Sequence, residues 1–176
     1  MLPLLPPIKV ELETWGRHFG DLAFGGAHDM LVSERFKNEF LKAGLTGFAA
    51  FEPAQIVKVA EPKKPKEQPP KYFLVNSARG RAAVDRLASG IDGGNLRGCD
   101  ECRVGDIKRL RRLVLEPGTW SGEDVFRARG LPGTIITSER FKKFCDQHAF
   151  SNCVLIDADR FHFDHFPWER SKPAGT

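Results

Sequence analysis

Ser33-Glu34-Arg35-Phe36-Lys37 occurs a second time, letter for letter, as Ser138-Glu139-Arg140-Phe141-Lys142. Each copy follows a short apolar run, Met30-Leu31-Val32 in the first and Thr134-Ile135-Ile136-Thr137 in the second. Each precedes a stretch with helical spacing of its apolar residues. A serine there can accept a bond from an orphan amide of the first turn, and the glutamate after it sits at the positive helix end. Both strings therefore predict a strand handing over to a helix. The first helix is expected from Glu34 to Ala43, with Phe36, Phe40 and Ala43 on one face and Gly44 closing it. The second is expected from Glu139 to His148, carrying Phe141, Phe144 and Cys145.

The two strings lie 105 residues apart (138 − 33). Held at that spacing without a gap, Glu11 falls on Glu116, Thr14 on Thr119, Trp15 on Trp120, Ala23 on Ala128 and Gly25 on Gly130. Downstream, Leu45 falls on Phe150, Thr46 on Ser151, Phe51 on Ile156 and Glu52 on Asp157. This predicts an internal repeat covering about residues 8–59 and 113–164, joined by a loop-rich insert at 60–112. The expected fold class is α/β (α+β): two related strand–helix–strand units packed as one pseudo-symmetric domain, 1–176.

Within each unit, period-two alternation marks the strands. Ile8 to Leu12 alternates apolar and charged, and Phe48 to Val59 returns as extended chain interrupted by Pro53. Tyr72 to Val75 is a further strand. Arg79 to Leu87 fits helix or strand equally. In the second unit Leu113-Val114-Leu115, Val125-Phe126 and the returning Val154-Leu155-Ile156 are expected strands, and Phe161 to Phe166 alternates again. Trp15 and Trp120 read as anchors for the opening strand of each unit. Glu61 to Lys71, all proline and charge, reads as solvated loop.

Of 176 residues, 41% are hydrophobic and 28% charged, as in globular rather than disordered chains. There are 14 phenylalanines against 1 tyrosine, which favours a packed core over a base-stacking surface. The net charge of +4 is spread along the chain, whereas a nucleic-acid footprint needs clustering on one face. Residues 1–7 are apolar but lack a basic start and are broken by proline, so they do not read as a signal peptide. No run is long enough to span a bilayer. A cytoplasmic location is expected, with its four cysteines as thiols or ligands.

Several groups could carry chemistry. Cys99-x-x-Cys102 has the spacing at which two thiolates hold one tetrahedral metal, and zinc would need two further ligands. The competing reading is an unmetallated turn. Cys145 and Cys153 fall on the repeat positions of Phe40 and Phe48 and read as small core residues. Lys108 to Arg112 is the densest basic cluster. It is read as a solvated strand or helix edge in preference to a phosphate contact. His162 and Asp164 share one strand face, with His165 on the other beside Phe161 and Phe163, so the three do not converge as ligands. Both repeated serines lack a nucleophile elbow, and no phosphate loop or cofactor fingerprint is present.

The runs Trp120-Ser121-Gly122-Glu123-Asp124-Val125-Phe126, Arg129-Gly130-Leu131-Pro132-Gly133 and Ile135-Ile136-Thr137-Ser138-Glu139-Arg140-Phe141, preceded by Cys99-Asp100-Glu101-Cys102, resemble a myxobacterial paralogous family with a double CXXCG motif. The second unit is also similar to immunity proteins that accompany polymorphic toxins. The likeness runs from about Val10 to Phe163. Only one CxxC is present, Arg103 stands where the family has glycine, and the first CXXCG would lie upstream of Met1.

The resemblance implies a non-enzymatic immunity protein that binds and neutralises a cognate toxin by stoichiometric occlusion. The alternatives are a nucleic-acid-binding module using 108–112 or a zinc-stabilised scaffold. Partner-binding residues are expected where the units differ: Lys63, Lys64 and Lys66 in the Pro/Lys loop, and His162, Asp164, His165 and Trp168 near the end.

Overall fold

Both serines cap a helix. Ser33 and Ser138 have extended backbone, and each hydroxyl accepts from the N–H three residues on, Phe36 and Phe141, at 3.1 Å. The helices they start are α1, Glu34–Lys42, and α2, Glu139–His148. Gly44 follows the first at φ 62°, and Ala149 takes the left-handed role behind the second at φ 48°. Phe36 and Phe40 are buried as the spacing requires, whereas Ala43 is exposed, because it caps α1 and lies beyond the packed turn. This computed structural model describes residues 7–16, 18–25, 30–60, 67–93, 103, 105 and 107–165.

The strands are β1 Ile8–Glu13, β2 Leu22–Phe24, β3 Met30–Ser33, β4 Phe48–Ala60, β5 Tyr72–Ala83, β6 Arg109–Leu110, β7 Val125–Arg129, β8 Ile136–Thr137 and β9 Phe163–Asp164. They make a mixed α+β fold. One sheet runs β1-β4-β5-β3-β2, with β1 parallel to β4 and β5 antiparallel to both β3 and β4. The far half of β5 pairs in parallel with β7, which carries β8, and β6 with β9 forms a separate ribbon. Arg79 to Ala83 thus resolves as strand, since β7 supplies the ladder that periodicity alone could not show. β4 runs straight through Pro53. Its pairing with β1 begins only at Ala54, so the missing amide is not called for on that side.

Phe73 and Val75 of β5 face the helices, and Tyr72 and Leu74 face the other way into a second cluster with Ile8, Leu12 and Leu31. Burial on both faces explains why this strand shows no polar alternation. The helix-side core is largely phenylalanine drawn from both helices. Phe36 lies against Phe40, Phe48, Phe141, Phe144 and Phe150 at centroid distances of 4.9 to 6.4 Å. Such pairs add to the burial of the rings themselves. A third cluster, around Val84, Leu110, Leu113 and Phe126, underlies the β6–β9 ribbon.

Each helix start is held by an aspartate. Ser33 Oγ donates to Asp21 Oδ1 at 2.8 Å, and Ser138 Oγ donates to Asp124 Oδ1 at 2.8 Å. Arg35 reaches Asp21 Oδ2 at 2.7 Å, and Arg140 reaches Asp124 Oδ2 at 3.2 Å. Each network then crosses to the other half of the chain. Asp21 Oδ2 accepts from the Ser151 N–H at 3.0 Å, and Asp124 Oδ2 from the Thr46 N–H at 2.9 Å. Gly47, at φ 111°, packs its backbone against that of Val125, where no Cβ would fit.

These networks correct the ungapped spacing. The aspartates lie 103 residues apart (124 − 21), because Asp21 precedes its serine by 12 residues and Asp124 by 14. The second hairpin is two residues longer, so Leu22 pairs with Val32 but Val125 with Thr137. Three further expectations fail. Trp15 is 78% exposed and anchors nothing, and Trp120, 46% exposed, stacks on Phe126 with its indole N–H on the Glu123 carbonyl. Leu113 to Leu115 contributes only an isolated bridge, Val84 to Leu115. Val154 to Ile156 joins no strand pair, since no described strand lies on its outer side.

Candidate partner-binding surface

Two stretches whose paired residues lie 53 and 55 apart in the sequence (163 − 110 and 164 − 109) meet in the β6–β9 ribbon. Arg109 pairs with Asp164 and Leu110 with Phe163. The Arg109 Nε–H donates to Asp164 Oδ2 at 3.2 Å, and a second carboxylate, Asp92, stands 3.7 Å from Nη1. Arg112 donates to the Ala88 carbonyl at 3.0 Å. The Lys108 to Arg112 cluster is therefore partly tied down within the fold rather than solvated. Above the ribbon lies an open cavity of about 360 Å³, lined by Arg109, Arg111, His162 and Asp164 over Leu110 and Phe163.

His162 and Asp164 do share that face, and His165 lies on the other, its ring 4.8 Å from that of Phe163. His162 Nδ1 sits 2.7 Å from the Arg160 carbonyl. Lys63, Lys64, Lys66, Cys99, Cys102 and Trp168 lie outside the described residues. Among the described residues no group of three or more His, Cys, Asp or Glu side chains is placed to hold a metal ion. Among the same residues no helix is long and apolar enough to cross a membrane.

Cys145 and Cys153 are the small core residues their repeat positions suggest. Cys145 is buried in the phenylalanine cluster and Cys153 packs at its edge, with the sulfurs 3.3 Å apart. The hydrogen bond between them, and then burial, push the Cys145 thiol up. At Asp21, partial burial alone would raise the carboxyl. The Arg35 guanidinium, the Ser151 N–H and the Ser33 and Ser151 hydroxyls outweigh it and hold the group at about 2. Burial, and then the Asp21 charge, push Tyr72 up to about 12.

The surface feature that sequence reasoning misplaced is residues 153–157. Cys153 and Leu155 pack against the core, while Val154 is 86% and Ile156 62% exposed. The sequence there is an unbroken apolar run, read as a returning strand, and does not say which of its residues face the core. That its outer residues would meet water depended on a partner strand being absent.

The described residues thus present an α+β scaffold with apolar side chains in water, an open strand edge and a charged cavity on a short ribbon. Residues 13–160 match the immunity protein family Imm11, and the chain belongs to that family. Its function class is toxin immunity in general. No curated protein matches the chain.

Proposed function

We propose that the protein neutralises one cognate toxin by binding it stoichiometrically and covering its active site or substrate surface. Membership of the Imm11 family over residues 13–160 carries this reading. The exposed apolar side chains support it, since an interface core is built from such groups. An interface of roughly 1,200–2,000 Å² in total would suffice. The role requires binding alone, without catalysis, and is placed in the cytoplasm. The runs around Trp120 and Ile135, with Cys99-x-x-Cys102 before them, support a resemblance to the myxobacterial family with a double CXXCG motif. Nucleic acid is the poorer partner, because Arg109 at the centre of the basic segment is already paired with Asp164 and Asp92.

Co-expression with the toxin encoded beside its gene tests the reading. Cells should survive, and the two proteins should elute together as a 1:1 complex on size exclusion. Cell death with separate elution overturns it.

A further inference from the structure

In the first half of the chain, β5 lies between β3 and β4 and is antiparallel to both, with Leu31 and Glu52 each opposite Leu74. In the second half, residues 135–138 precede α2 as β3 precedes α1. Residues 153–157 follow α2 as the start of β4 follows α1. The likeness extends to bonds. Ser151 meets Asp21 as Thr46 meets Asp124, with the Leu22 N–H on the Ser151 carbonyl and the Val125 N–H on the Thr46 carbonyl. The Leu113 N–H donates to the Ala158 carbonyl at 2.9 Å. In a parallel ladder that bond belongs to a Leu113–Asp159 pair, and 105 residues earlier Ile8 pairs with Ala54.

Among the described residues, nothing occupies the place of β5 in this second arrangement. β8 pairs with β7 along one edge only, and 153–157 has no strand partner. Backbone direction alternates along a strand. Among the described residues, no backbone N–H or C=O of residues 153–156 has a hydrogen-bond partner, so this stretch is open to pairing. Open edges of this kind invite another chain.

Resting on the immunity reading above, we propose that an extended segment of the toxin adds as a strand to the free edge of residues 153–157, antiparallel to it, in the position β5 holds between β4 and β3. The chain's own β5 shows what fits. Alternate apolar residues would turn inward toward Cys153 and Leu155, as Phe73 and Val75 do over the same core. An antiparallel strand begins beside Asp157 and Asp159. Both carboxylates are exposed and, among the described residues, neither is in an ion pair, so Lys or Arg belongs at the leading end of the toxin segment. Main-chain bonds supply affinity and side-chain alternation supplies selectivity, as in other strand additions.

The test uses the full chain and the purified toxin encoded beside its gene. Amide exchange at Leu155 and Thr137, fast in the free protein, should slow at least tenfold in the complex. Val154→Lys with Ile156→Lys should raise the Kd tenfold or more while leaving the unfolding midpoint unchanged, and Asp157→Lys with Asp159→Lys should weaken binding too. A complex that forms and rescues cells, yet leaves exchange at both amides and the Kd of Val154→Lys/Ile156→Lys unchanged, overturns the strand addition and leaves the immunity reading standing. Absence of any complex overturns both.

Discussion

The Arg140 guanidinium donates to the Ala43 carbonyl at 2.6 Å, tying the start of α2 to the end of α1. Arg35 returns the contact, donating to the His148 carbonyl at the end of α2 at 3.2 Å. Each arginine thus spans an aspartate at its own helix start and an unpaired carbonyl at the other helix end, where positive charge is favoured.

Asp124 is the most sensitive member of this arrangement, because its side chain is nearly inaccessible and serves Thr46, Ser138 and Arg140 together. Asp124→Ala is expected to cost about 1–3 kcal/mol, the range for leaving part-buried hydrogen-bonding groups, here the Thr46 N–H and the Ser138 hydroxyl, without their acceptor. Ser138→Ala, which removes a cap, should cost about 1 kcal/mol. Urea unfolding of the two variants measures both.

Asp21 sets an acid limit. Its folded value of about 2 lies below the ordinary 3.8, so the stability it contributes is complete above about 4 and is lost as the pH falls through about 2. The urea midpoint of the wild type should fall more steeply over that window than that of Asp21→Asn.

Tyr72 is the only tyrosine in the chain, so tyrosinate absorbance reports it alone. Its hydroxyl donates to the Gly20 carbonyl at 2.6 Å, and its ionisation is expected near 12 rather than near 10. With the folded value raised, this contribution to stability is present below 10 and disappears as the pH climbs through about 12. An alkaline titration showing ionisation near 10 in folded protein contradicts the burial.

Phe36 stands at the centre of the aromatic core and is fully buried. Phe36→Ala should cost about 3–5 kcal/mol, and Phe36→Leu less, since it leaves a smaller cavity. Thermal or urea unfolding distinguishes them.

The thiols should differ in rate. Peptide-resolved alkylation is expected to modify Cys153, at the edge of the core, before Cys145, which is buried beneath it. Equal rates would mean that α2 opens as readily as the loop after it.

Local chemistry was enough to place both helices. A serine able to cap, a glutamate at the positive end and phenylalanines four apart in α1 and three apart in α2 act within a dozen residues, and α2 spans the residues so predicted. The sequence also marks Cys145 and Cys153 as core, through their correspondence with phenylalanines. It could not mark the aspartates, because Asp21 and Asp124 obtain their roles from Ser151 and Thr46 elsewhere in the chain, and a hairpin two residues longer hides their equivalence. Strand pairing is the other decision left to tertiary structure. Phe48 to Phe51 and Cys153 to Ile156 each follow a helix and pack two side chains on the same core, yet only the first finds β5 beside it, because a ladder depends on what the rest of the chain brings to its edge. Arg109 and Asp164 likewise became one ribbon only when the chain between them closed the distance.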